Sequence, residues 1–282
     1  MTAVVNAPSP WKRRFNKVAT YLSKPQNAIL LVLGIILTFT TIWPAFTIVR
    51  DTITIHSGTV DTRGAEPGQV YTTFNWTDLF APSTNTARKL AQINLWTPLL
   101  NSVLLSVFAC VGSILYGGIF AYLVTRTNLK LKKYLSAIFI FPYIMPQWTL
   151  AVMWQNLFNS NAVTGGNDGL FVALFNVFMP KWWCEGIFPV SVVLAIHYAP
   201  FAYILIGGIF RNMDANLEEA AIILNTPRWK TFFRITLPLV KPAILSTILL
   251  VFSSAMGSYP IPHYLKLSTL STQYVGMSSN RA

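Results

Sequence analysis

Five stretches of this chain, near residues 28–49, 97–124, 134–158, 187–210 and 241–258, are apolar almost without interruption. A helix needs about 20 such residues to cross the hydrocarbon core of a bilayer. Within lipid every backbone N–H and C=O must find its partner inside the chain, so runs of this length specify helices. Composition agrees, with 53% of residues hydrophobic and 11% charged, against about 25% charged in soluble domains. The expected fold class is an all-α integral membrane protein, a bundle of about five transmembrane helices. Lys12, Arg13, Arg14 and Lys17 resemble the basic start of a signal peptide. The apolar run behind them is too long for one and has no evident small-residue cleavage site, so 28–49 reads as a retained first span.

The flanking charges orient these spans. Residues 1–27 carry five Lys/Arg and no acid. The link between the second and third spans carries Arg126, Lys130, Lys132 and Lys133. The link between the fourth and fifth carries Arg211, Arg228, Lys230, Arg234 and Lys241. These three segments hold fourteen of the 21 basic residues, and six of the nine acids lie on the opposite side. The positive side is expected to be cytoplasmic. That places a basic cytoplasmic N-terminus at 1–27 and makes lipid the surrounding partner. The same distribution argues against nucleic acid as the partner of the +12 net charge.

The outer side is expected to hold 50–96, whose FNWTDLF stretch reads as a short interfacial helix, and 159–186. The latter contains LFVALFNVF, too short to span, followed by Pro180, Trp182 and Trp183, a pattern for a helix anchored at the membrane surface. An odd number of spans puts the tail, 259–282, outside. That tail is polar and has no closing element, which reads as a truncated end or a span supplied by another polypeptide.

The link at 214–238 is a polar segment that interrupts the apolar sequence just before its last apolar run. Asn216 is a good N-cap and Glu219, three residues on, completes a capping box. Glu218 and Glu219 place negative charge in the first helical turn, where the helix dipole favours it. Leu217, Ala220, Ala221 and Leu224 share one face, and its alanines leave room for another surface. Asn225 tolerates the left-handed conformation of a helix end. Thr226 and Pro227 restart a helix as cap and first residue. Trp229, Phe232 and Phe233 line one face of it, and Leu237-Pro238 is expected to end it. An amphipathic connector resting on headgroups accounts for the second helix but not for the acidic first one, which anionic lipid repels.

This segment resembles the EAA loop of the permease subunits of binding-protein-dependent ABC importers. The family pattern is Glu-Ala-Ala, three residues, Gly, nine residues, Ile-x-Leu-Pro, and each element stands at its spacing between Glu219 and Pro238 except the Gly, which is Asn225. PLLNSVLLSV, AYLVTRTNLK and FPYIMPQWTLAVMW are similar to the same family, extending the likeness over about 95–270. VTRTN and PHYLKLSTLSTQY resemble the ferric-iron subgroup. The resemblance implies a cytoplasmic coupling-helix hairpin that contacts ABC ATPase subunits through Glu218, Glu219, Ala220, Ala221, Asn225 and Pro227. It also implies a second permease half, identical, paralogous or fused, and an extracytoplasmic substrate-binding protein. A half of this family carries one more span than is legible here. The implied function is passage of a small solute, ferric iron among the candidates, from that binding protein across a prokaryotic plasma (inner) membrane into the cytoplasm.

Within the spans, His197 is the most informative residue, because an ionisable group in a membrane is costly and is kept for a function or satisfied by a neighbouring helix. Asn101, Gln147 and Asn156 are polar residues in or near spans, and Asn101 and Gln147 join His197 as candidates for a solute pathway. Pro142 and Pro146 interrupt the third span and Pro200 the fourth. Ala109, Ser113, Gly117 and Ala121 recur every four residues, a stripe suited to close helix packing within the chain or against a second permease half. Cys110 and Cys184 fit neither metal spacing nor a disulfide framework, so no metal site and no cofactor is expected in this chain. No Gly-Lys dipeptide is present, hence no phosphate loop. The chain is therefore not expected to be an enzyme, and ATP hydrolysis is assigned to a separate subunit. The alternative is a channel or ion-coupled secondary transporter without an ATPase, which the scarcity of acids in the spans disfavours.

Overall fold

The computed structural model describes residues 24–55, 71–82, 84–213, 223 and 226–279. The chain divides into two compact units, 1–89 and 90–282. Among the described residues the secondary structure is helical apart from one isolated antiparallel bridge between Thr54 and Tyr71.

The first unit is built on α1 (Pro25–Ile53), which Pro25 opens at its first turn and which continues through Pro44. Its large apolar side chains are exposed along the whole helix, as lipid contact requires. Thr40, Thr41 and Thr47 return their hydroxyls to carbonyls three or four residues back, which hides their polarity from the surroundings. The FNWTDLF stretch forms α2 (Phe74–Phe80), and its Trp76 Nε1 donates to Thr52 Oγ1 at 3.1 Å.

Then follow α3 (Asn85–Ala91), α4 (Thr97–Arg126), α5 (Lys132–Ile144), α6 (Gln147–Phe158), the short α7 (Asn161–Thr164), α8 (Leu170–Phe175) and α9 (Lys181–Cys184), and α10 (Ile187–Asn212). Beyond residue 227 come α11 (Arg228–Thr231), α12 (Leu237–Met256), α13 (Pro260–Tyr264) and α14 (Leu270–Ser279). Four helical stretches among the described residues are long and apolar enough to cross a membrane, and α5 with α6 makes a fifth if that bent pair counts as one span. The protein is an all-α integral membrane protein.

α10 is the centre of the second unit, packed on α4 and α12. The small-residue stripe of α4 explains the closeness. Ala109, Ser113, Gly117 and Ala121 are all buried, and a Cβ at Gly117 would stand 2.3 Å from the carbonyl oxygen of Ala199 on α10. The stripe thus serves packing within the chain. One cluster gathers Leu105, Ala109, Val190, Leu194 and Tyr198 with Val251 and Ala255 of α12, and Ile261 and Leu265 join it from beyond α12. The first part of the tail, at Ile261, Leu265 and Leu267, is therefore seated on the core rather than trailing from it.

Two joints use π-helical turns, Gln92–Trp96 and Phe232–Thr236. Each is followed by a proline in second position, Pro98 and Pro238. Proline cannot donate to the carbonyl four residues back. Here the residue before it bonds five back instead, Thr97 to Gln92 and Leu237 to Phe232, which widens the turn and lets the helix pass. This corrects the expectation that Leu237-Pro238 ends the second coupling helix: a helical stretch runs without a stop from Trp229 to Met256.

The third apolar run also departs from a straight span. α5 and α6 meet at 100°. Met145, which precedes Pro146, takes the extended backbone that a following proline imposes (φ −71°, ψ 142°), and the α-ladder stops there. α6 restarts when the Thr149 amide bonds the Pro146 carbonyl at 3.0 Å.

Candidate functional site

The bend between α5 and α6 collects two of the three residues expected to line a solute pathway. His197, 4% exposed on α10, places Nδ1 2.9 Å from the carbonyl oxygen of Pro142 in the last turn of α5. Gln147 stands at the first position of α6. Its Nε2 donates to Tyr198 Oη at 2.8 Å, and its Oε1 accepts from Ser258 Oγ at 2.8 Å. One amide thus ties α6 to α10 and to the turn that follows α12. Tyr143, from α5, packs on both His197 and Phe201, with ring centroids 5.5 and 4.6 Å apart.

Asn101 belongs to a different joint. Its Nδ2 donates to the Ser268 carbonyl at 2.8 Å, and beside it Ser102 Oγ accepts from the Leu270 amide at 3.0 Å. Together they fasten the chain between α13 and α14 to the first turns of α4. Below Asn101 the α4 hydroxyls of Ser106 and Ser113 are satisfied within their own helix, by the carbonyls of Ser102 and Cys110. The structure therefore unites His197 and Gln147 at the bend and sets Asn101 apart.

Several residues that complete these joints carry little signal in the sequence. Ser258 is one serine in a helix-ending Gly-Ser pair, and Ser268 contributes only its backbone. Gln155 donates to the Tyr264 carbonyl at 2.6 Å, and Trp154 to the Trp183 carbonyl at 3.1 Å, so α6 holds the segments on either side of it. Lys266 reaches Glu185 in an ion pair, and the Gly186 amide donates to the Leu265 carbonyl at 2.9 Å. Cys110 and Cys184 are both free and buried.

Glu218, Glu219, Ala220, Ala221 and Asn225, expected to contact an ATPase, lie outside the described residues. Pro227 is described: it is exposed, and its carbonyl accepts the Lys230 amide at 2.9 Å, which opens α11. Beyond it Trp229 is 73% exposed, with its ring against Phe232 and Phe233. At the neighbouring cytoplasm-assigned end, Arg126 Nη2 lies 3.4 Å from the carbonyl of Met213, which caps the C-terminus of α10. A cation there opposes the negative end of that helix dipole.

Residues 113–278 match the family model described as "Binding-protein-dependent transport system inner membrane component". The match takes in the bend, His197 and the whole Glu219–Pro238 segment. Among curated relatives, the putative ferric transport system permease protein FbpB 1 of Haemophilus influenzae is 27% identical over 187 residues, 66% of this chain and 28% of that protein. The sulfate transport system permease protein CysT of Escherichia coli is 25% identical, over 57% of this chain and 54% of that protein. The spermidine/putrescine transport system permease protein PotC homolog of Mycoplasma genitalium is 28% identical, over 66% and 60%. The chain thus spans less than two thirds of each of these relatives. A solved amino acid ABC transporter structure overlaps 69% of this chain and 81% of its own, with TM-score 0.46 and 17% identity. The family match covers more than half of the sequence, and the chain belongs to the family of binding-protein-dependent transport system inner membrane components, the permeases of type I ABC importers.

Proposed function

We propose that this chain is a transmembrane permease subunit of an ATP-driven importer, passing a small solute from an extracytoplasmic binding protein into the cytoplasm. The observation that carries the reading is the Glu-Ala-Ala to Ile-x-Leu-Pro pattern at Glu219–Pro238, standing inside the region that matches the family. ATP is hydrolysed on separate ABC ATPase subunits, which dock on Glu218, Glu219, Ala220, Ala221, Asn225 and Pro227. A second permease half completes the pathway. The basic N-terminus and the coupling segment lie in the cytoplasm, in keeping with the positive-inside distribution of Lys and Arg.

The solute is small and polar or charged. The names of the relatives span ferric, sulfate and polyamine transport. Ferric iron is the member of that set which the VTRTN and PHYLKLSTLSTQY stretches favour. His197 and Gln147 border the pathway at the bend. Purification of the full chain from its native membrane in mild detergent tests this reading. An ATPase subunit should co-purify, and uptake by the reconstituted complex should require ATP. A chain recovered alone, with ATP-independent flux in liposomes, would instead establish a channel or secondary transporter.

A further inference from the structure

Pro142 and Pro146 stand four residues apart at the bend. In an α-helix the carbonyl of residue 142 accepts from the amide of residue 146. Proline has no amide hydrogen, so this carbonyl loses its partner within the helix. Inside a membrane stretch a freed carbonyl needs a donor from elsewhere. His197 comes from another helix to fill the gap, with Nδ1 2.9 Å from the Pro142 oxygen. A carbonyl oxygen only accepts, so Nδ1 carries the hydrogen and donates. The contacts of Tyr143 and Tyr198 with the His197 ring, centroids 5.5 and 4.9 Å away, hold it in place.

We propose that His197 is the positioning residue of this bend: its Nδ1–H replaces the amide that Pro146 lacks, ties α5 to α10, and thereby fixes the angle between α5 and α6. The ring serves as a backbone surrogate, supplied in trans to a helix that two prolines have opened. This deepens the transport reading, because the same bend sets Gln147 at the start of α6 against Tyr198 and Ser258. The bond itself requires no ATPase, binding protein or solute, so it is tested apart from that reading.

The full chain in lipid nanodiscs, spin-labelled at Ile138 on α5 and Met153 on α6, reports the angle as a distance. Both sites are exposed, at 69% and 48%, and the two native cysteines are buried. The His197→Leu chain keeps an apolar side chain but no donor, and its parental distance peak should be lost. His197→Asn should keep the peak, because the Asn amide nitrogen and Nδ1 are equally far along the side chain. His197→Gln carries its nitrogen one atom further and should lose it. Pro146→Ala restores an amide to position 146. Whatever distance that chain adopts, adding His197→Leu should leave it unchanged, a non-additivity that space-filling by the ring does not produce. The proposal is overturned if His197→Leu keeps the parental peak, or if it shifts the distance equally with Ala at position 146. Should His197→Leu fail to fold, the Asn and Gln variants decide: identical peaks from those two overturn it.

Discussion

At Gly117, α4 and α10 approach so closely that a built Cβ would lie 2.3 Å from the Ala199 carbonyl oxygen, 2.7 Å from Ala202 Cβ and 3.0 Å from the Tyr203 amide nitrogen. Two of those three neighbours are backbone, which has no rotamer to change. Gly117→Ala therefore forces the helices apart and should cost about 1–3 kcal/mol, the range of an overpacked core. Gly208, on α10, meets nothing within 4 Å at the same construction. Gly208→Ala should be neutral or gain up to about 1 kcal/mol, since alanine is the better helix former. Thermal unfolding of the purified chain in detergent compares the pair. The midpoint should fall for Gly117→Ala and hold or rise for Gly208→Ala; equal midpoints would show that the stripe does not set the crossing.

Between elements, Gln147 is the clasp, because it binds α10 through Tyr198 and the turn beyond α12 through Ser258. Gln147→Leu keeps most of the volume and removes both bonds, at about 1–3 kcal/mol for the hydroxyls that lose a partner. If the loss is local, amide exchange at Leu265 and Leu267 should quicken by about tenfold for each 1.4 kcal/mol, while the α10 core around Leu194 stays protected. Equal quickening in both regions would mean that Gln147 stabilises the bundle as a whole and is no clasp. How far such features can be read from sequence differs by element. α1, α4 and α10 are legible because bilayer thickness demands length and apolarity, both written in consecutive residues. The interruption at Pro142 and Pro146 is legible too, but its 100° angle is not, since it depends on His197, 55 residues downstream of Pro142. The π turn before Pro238 is hidden for a similar reason: a single proline signals a helix end as readily as a widened turn. The partner of Asn101 and one of the two partners of Gln147 come from 258–268, where polar composition conceals Ile261 and Leu265, both buried in the core.

For the whole molecule, the proposed function raises the question of how an event on a cytoplasmic ATPase would reach the spans. The described part of the link is stiff: from Trp229 the helix runs through a π turn into α12, with no loop to absorb a displacement. Under the proposed function, a push at the start of this stretch would be passed to Val251 and Ala255, which pack in the same cluster as Leu194 and Tyr198 of α10. In the upstream half of the link, outside the described residues, the sequence pattern predicts Glu219 at a capping position and Asn225 at a turn. Lys at position 219 reverses the charge that favours a helix start. Pro at position 225 cannot adopt the left-handed backbone that Asn tolerates there. A partner can shift the balance between two states of the spans only by the difference in its affinity for them. Disordering its docking site should erase that difference while leaving its own chemistry intact. A complex carrying Glu219→Lys and Asn225→Pro, reconstituted in liposomes, should therefore hydrolyse ATP at its basal rate, lose stimulation by the loaded binding protein, and take up solute at least about tenfold more slowly, the loss expected from about 1.4 kcal/mol of coupling. Both quantities are read from one preparation, as phosphate released and solute accumulated. Uptake at the parental rate would remove the segment from the coupling path, and loss of basal hydrolysis together with the ATPase subunit would show that it serves assembly instead.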